Sequence, residues 1–276
     1  MMMQIVCLLL GRLLLICIAV NDLLQQLWLR LHAFASRSYD YWQCDQRAFL
    51  GAAVRGLEKL PQHLVLVIGP DDCYVNAALL KRIFSYTHIV GIPYLSVYDT
   101  RTPGKGYVDL SLFCQQNEKG DMFYHWPSQQ VKEQKPPQNG YKTVPNGTSN
   151  GYANKGAHYT PLQVCQISRA DGHALIADVC RELYENRQTA QVQAMLEERQ
   201  ALTDGISAIL NKRLGLAVPE PELGIVFSRQ TCTYGLLPWH VRFTEFHTHR
   251  SGSYFDAKSF ANVLYKYARC EQRWGK

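Results

Sequence analysis

Apolar and polar positions along the chain fall into distinct runs. Ile5 to Val20 is apolar apart from Gly11 and Arg12, and Leu23, Leu24, Leu27, Trp28 and Leu31 continue it at helical spacing. Met1 to about Ala35 therefore reads as one membrane-embedded or membrane-lying helix. A second helix suits Arg47 to Lys59, with Pro61 as its stop. His63 to Ile68 is continuously apolar after its His and ends at Gly69-Pro70-Asp71-Asp72, the pattern of a strand buried on both faces. Val75 to Tyr86 predicts a helix, and Ile89 to Val97 a second buried strand ending at Tyr98-Asp99. Strand, helix, strand is a βαβ unit, so the expected class is α/β, an open, mainly parallel sheet with helices on both faces.

Beyond the loop Thr100 to Tyr107, the stretch Val108 to Cys114 starts a further helix. From Ser128 to about Tyr159, Gln, Lys, Pro, Asn and Gly displace the aliphatic residues. Such a stretch buries too little surface to offset its ordering entropy, so residues 128–160 read as a disordered insertion. The pattern resumes with the strand Leu162 to Ile167 and the helix Ala174 to Asn186. Gln191 to Leu214 carries one more helix, or two broken at Thr203. Glu222 to Ser228 is a strand, Leu237 to Phe246 follows, and Phe260, Val263, Leu264 and Tyr267 mark a terminal amphipathic helix. The organisation expected is an anchor over 1–35, then one domain in two parts, 36–127 and 161–276.

Charge and cysteine usage narrow the classes. Hydrophobic residues make up 47% of the 276, enough for a sizeable core beside the anchor. Net charge is +6, with Lys and Arg dispersed, so no stripe suits nucleic acid. The 9 cysteines form no C-x-x-C pair, which argues against zinc and against a disulfide framework. No positive residue precedes Ile5, as a cleaved signal peptide would want; Arg30, Arg37 and Arg47 follow the run and place the main domain in the cytosol. The sequon at Asn146 would then go unused.

Candidate chemistry gathers at the strand ends and at the terminus. The chain ends Arg273-Trp274-Gly275-Lys276. Arg presents a fixed fork of donors to phosphate oxygens, and Gly lets a backbone N–H approach an anion closely. Upstream lies Leu236-Leu237-Pro238-Trp239-His240-Val241-Arg242-Phe243-Thr244-Glu245-Phe246. With the Tyr265 to Lys276 ending, this closely resembles the Nogo-B receptor family, the non-catalytic subunits of eukaryotic dehydrodolichyl diphosphate synthase, a cis-prenyltransferase. The likeness is strong over 220–276, looser over 57–110 and 160–215, and absent between.

That resemblance implies a cis-prenyltransferase-like domain on the endoplasmic reticulum membrane, paired with a catalytic cis-prenyltransferase subunit. The implied substrates are isoprenoid diphosphates, farnesyl and isopentenyl, elongated with Mg²⁺ into the dolichol precursor that supports protein glycosylation. Catalytic members keep an Asp-Gly-Asn-Arg-Arg-type motif after the first strand; counted from His63, its Asp position falls on Gly69, so no catalytic residue is expected in this chain's own pocket. Two family arginines fall near Val226 and Cys232, with Arg229 the nearest Arg. Glu245 matches a Mg²⁺-ligand position, but without an Asp at 69 it reads as an interface carboxylate, paired with Arg242 or His240. Trp239, His240, Arg242 and Glu245 are the expected interface residues, and Arg273, Trp274 and Gly275 the expected diphosphate-binding tail, acting in the partner's site. Two features carry plainer readings: His247 and His249 as a solvated loop, and Asp171-Gly172-His173 as a helix cap and turn. A membrane receptor or scaffold without enzymatic duty is the alternative.

Overall fold

The computed structural model describes residues 2–43, 45–104, 106–110, 123–125, 162–215, 218–250 and 252–271. The insertion over 128–160, most of the expected helix at Val108 to Cys114, and the tail residues Arg273, Trp274 and Gly275 lie outside the described residues. Among the described elements, α1 (Met2–Gln43) and α2 (Gln46–Val54) precede β1 (His63–Ile68), α3 (Ala77–Val90), β2 (Tyr94–Asp99) and β3 (Phe123–His125). Then come β4 (Leu162–Ile167), α4 (His173–Glu185), α5 (Ala190–Glu197), α6 (Arg199–Leu214), β5 (Leu223–Phe227), β6 (Glu245–His249) and α7 (Ala257–Arg269).

Six strands form one sheet in the order β3-β4-β2-β1-β5-β6. Every pairing is parallel, so all carboxyl ends lie along one edge. Both faces of β1 are buried, as its unbroken apolar run requires. Leu64, Leu66 and Ile68 point into the larger core layer, with Phe84 of α3 and Phe260 and Leu264 of α7. Val65 and Val67 point the other way, into a smaller layer with Val226, Leu236 and Leu237. His63 closes the amino end of β1 and is almost wholly buried. Its Nδ1 lies 2.7 Å from the Pro219 carbonyl oxygen and its Nε2 2.8 Å from Ser96 Oγ. A carbonyl only accepts, so Nδ1 carries the proton and Nε2 accepts from the serine.

Several element bounds differ from the sequence reading, each for a local reason. Ile89 and Val90 finish α3 instead of starting β2; Gly91 caps that helix at φ 83 and Pro93 follows it, so the strand begins at Tyr94. α2 stops at Val54, ahead of Gly56, short of the expected Lys59. The break between α5 and α6 falls at Glu198, whose extended backbone separates them, not at Thr203. α1 continues past Ala35 to Gln43, where Asp45 caps the next helix by accepting from Arg47 N–H. Its stretch Leu9–Trp28 is long and apolar enough to cross a bilayer, with mean hydropathy 1.4, and none of it is buried.

Candidate functional site

In an open parallel sheet a ligand site forms beyond the carboxyl ends of the strands. Here that edge holds a cleft of about 370 Å³, with Pro70, Tyr98, Arg169, His173 and Tyr234 in its wall. Gly172, which opens α4, stands against the Gly235 carbonyl so closely that a Cβ would meet the oxygen at 2.5 Å. Asp171 accepts from the Ser168 N–H in a capping box around the 3-10 turn Arg169–Asp171, whereas α4 begins after Gly172 without a side-chain cap, so the Asp-Gly-His segment is the expected turn but not a helix cap. The cleft's one guanidinium is partly committed, because Arg169 Nη2 donates to the Thr100 carbonyl.

Gly69 follows β1, next to Pro70 of the cleft wall. A Cβ built there would lie 2.7 Å from both Ser228 Cβ and Asp71 Oδ1. The space for an aspartate is thus already filled by the side chains that replace it. Tyr234 hydroxyl and Ser228 Oγ lie 2.7 Å apart, and Ser228 Oγ donates to Asp71 Oδ1 at 2.8 Å. The Arg229 N–H donates to Asp71 Oδ2 at 2.9 Å. Burial opposes ionisation of Asp71, yet these two donors hold its carboxyl below the usual value. Asp72 is buried and accepts from the N–H groups of Tyr74, Val75 and Gly252.

Asp99, at the end of β2, is also taken up internally. Arg101 grips it with Nε to Oδ1 at 2.9 Å and Nη2 to Oδ2 at 2.7 Å, both side chains fully buried. Nη1 of Arg101 then donates to the Val75 carbonyl at 2.7 Å. Sequence reasoning placed Asp99 and Ser228 at strand ends without giving them a role, and passed over Arg101. The Asp-x-Arg spacing in Tyr98-Asp99-Thr100-Arg101 was the available signal for the ion pair; nothing local signals Ser228. Tyr234 and Leu237 hold positive φ of 52 and 25, costly for residues with a Cβ. Tyr98 hydroxyl clamps that loop by donating to the Tyr234 carbonyl at 2.9 Å.

Divalent metal does not fit this chain's own cleft. Among the described residues the carboxylates at this edge already accept from N–H, hydroxyl or guanidinium donors, whereas Mg²⁺ needs free oxygens in near-octahedral array. Glu245 stands elsewhere. It opens β6 opposite Leu223, while Gly69 follows Ile68, which pairs with Phe227. Five residues of parallel register put the two positions about 16 Å apart along the strands, too far to share an ion within one chain.

The expected pairing of Glu245 with Arg242 or His240 is corrected. Glu245 Oε1 lies 2.6 Å from His247 Nε2, and the same carboxylate, hydrogen-bonded to the Cys270 thiol, raises that thiol's pKa. Arg242 lies instead 4.0 Å from Glu220 and covers the Trp239 ring at 5.0 Å. His247 and His249 are not loop residues: both lie on β6, half-buried, because this segment adds an edge strand beside β5. Trp239 donates from Nε1 to Ser207 Oγ at 2.9 Å. His240, only 4% exposed, bonds Asn211 Oδ1 at 2.8 Å, so its side chain fixes the segment to α6 and does not present itself to a partner. Burial, aided by the Arg242 charge, pushes its pKa down.

No protein-family profile matches the chain. Among curated proteins it is 26% identical over 225 residues to the human "Dehydrodolichyl diphosphate synthase complex subunit NUS1", covering 80% of this chain and 69% of that one. The mouse counterpart is 26% identical over 230 residues, covering 82% and 69%. The budding-yeast subunit matches at 26% over 124 residues, 45% of this chain and 31% of its own. Among solved structures, a probable undecaprenyl diphosphate synthase from Campylobacter jejuni superposes with TM-score 0.48 at 10% identity, over 79% of this chain and 100% of that one. Lavandulyl diphosphate synthase from Lavandula x intermedia gives 0.47 at 13%, over 78% and 98%. The chain is thus similar, at 26% identity, to the NUS1 subunits of dehydrodolichyl diphosphate synthase complexes.

Proposed function

We propose that this chain is the accessory subunit of a heteromeric cis-prenyltransferase that builds a long-chain polyprenyl diphosphate, the dolichol precursor, from farnesyl and isopentenyl diphosphates. The observation that carries this is the lack of room at Gly69, where Ser228 and Asp71 occupy the space a catalytic aspartate would need. Ionising an allylic diphosphate requires its charge to be held by cations. The chain's own cleft offers one partly committed arginine. Catalysis then falls to a partner subunit that holds the Mg²⁺.

In that assembly the tail beyond α7 enters the partner's site. Arg273 grips a substrate diphosphate and the N–H at Gly275 donates beside it, with Trp274 between. The docking surface centres on Trp239, Arg242 and Glu245, next to Phe243, which is 52% exposed. α1 anchors the complex in the endoplasmic reticulum membrane with the main domain in the cytosol. Purifying the chain alone, and with a catalytic cis-prenyltransferase homologue, and assaying each for polyprenyl diphosphate tests the reading. Activity should appear only in the mixed complex; a full-rate partner that ignores this chain would leave the scaffold alternative.

A further inference from the structure

A second, larger cleft lies where α1 passes the carboxyl edge of β5 and β6. Its volume is about 800 Å³, and its wall includes Asp22, Gln25 and Trp28 of α1 facing Arg229, Arg250 and Tyr254. Both arginines sit at fixed strand ends. Arg229 follows β5, its backbone N–H held by Asp71 at 2.9 Å. Arg250 follows β6, beside the His249–Tyr254 ring pair at 4.7 Å. Among the described residues neither guanidinium makes a close salt bridge; Asp22 lies in the cleft wall and Asp71 feels the Arg229 charge from the strand end.

The cleft's height on α1 identifies what it meets. The apolar run ends at Val20, and Asn21, Asp22, Gln25 and Gln26 break the apolar pattern of the continuing helix immediately after it. Leu23, Leu24, Leu27 and Trp28 remain 51–68% exposed between them. That mixture of amphipathic spacing and a Trp is the composition of the bilayer interface. The two arginines therefore stand at headgroup level, with apolar helix surface running from them toward the hydrocarbon. We propose that this cleft binds the phosphate headgroup of an anionic glycerophospholipid of the bilayer that α1 enters. Arg229 and Arg250 hold the phosphate, and the acyl chains lie along the exposed leucines of α1.

This inference rests on α1 being a membrane helix, and the test separates the two. The full chain is reconstituted in phosphatidylcholine bilayers with a minor fraction of phosphatidate, extracted gently, and its retained lipid is measured by mass spectrometry. Each arginine near an anionic lipid surface is worth about fivefold in binding. The Arg229→Gln, Arg250→Gln double variant should therefore retain about 25-fold less phosphatidate. A control that removes the same charge from the far helices, Arg181→Gln with Arg199→Gln, should retain as much as the parent chain. Unchanged retention in the first variant, or equal loss in the control, overturns the site. So does displacement by inorganic phosphate as readily as by lipid, or retention of a polyprenyl phosphate in place of phosphatidate. Flotation with pure phosphatidylcholine vesicles reads α1 alone: if the parent chain fails to float, the membrane reading itself falls, and the site with it.

Discussion

At His63 a buried imidazole is locked neutral between a carbonyl that only accepts and a serine hydroxyl that donates. Burial is the main cause that lowers its pKa from 6.5 to about 4; the Pro219 bond opposes this and the His240 charge adds to it. A group that titrates lower in the folded state leaves the unfolded chain binding more protons between those values, so stability falls as pH drops from 6.5 toward 4. At pH 5 the cost is about 2 kcal/mol. Chemical denaturation at pH 7.5 and pH 5 should show that loss, and His63→Gln should flatten the difference. At Gly69 the expectation is steric. Gly69→Ala should destabilise the domain by about 1–3 kcal/mol through overpacking. Adding Ser228→Gly should recover part of it, because Ser228 supplies two of the three nearest atoms. Additive losses in that double-mutant cycle would mean that the two positions do not compete for one space.

Among the elements, those whose apolar run has one reading were legible. The strands at His63 and Leu162 match their runs end to end, the first because a strand buried on both faces leaves no polar register to misread. Where one apolar run spans two elements, as at Ile89 and Val90, hydropathy is blind and only the Gly91-Ile92-Pro93 punctuation separates helix from strand. β6 hid for another reason. Its Glu, His, Thr and His residues read as a polar loop, and only its pairing with β5 makes it a strand. The candidate site shows the same division. Gly69 could be found by counting from His63, but the Ser228 and Asp71 side chains that fill its space come together only through the sheet. For the element that follows α7, the tail, Arg273→Ala in an intact complex should lower turnover by about 10²–10³, the loss typical of one transition-state donor. Gly275→Ala should act alike, with assembly unchanged by size-exclusion chromatography. Full activity of the Arg273→Ala complex would remove the tail from the partner's site.

On the scale of the whole molecule, the fold separates three tasks along one sheet. α1 carries an exposed apolar surface, the carboxyl edge holds a cleft beside acids already bonded within the chain, and the far edge offers β6 with Glu245. If α1 anchors the chain as its following arginines direct, residues 36–276 should be cleaved by protease added to sealed microsomes, and Asn146 should carry no glycan. Protection of the domain, or a glycan at Asn146, would reverse the orientation. The most direct measurement is polyprenyl diphosphate synthesis by three purified samples under the same Mg²⁺ and substrates: this chain, its catalytic partner, and the two together. Turnover should be absent from this chain and rise in the pair well above the partner alone. Product formed by the isolated chain would contradict the reading of its cleft as closed to catalysis.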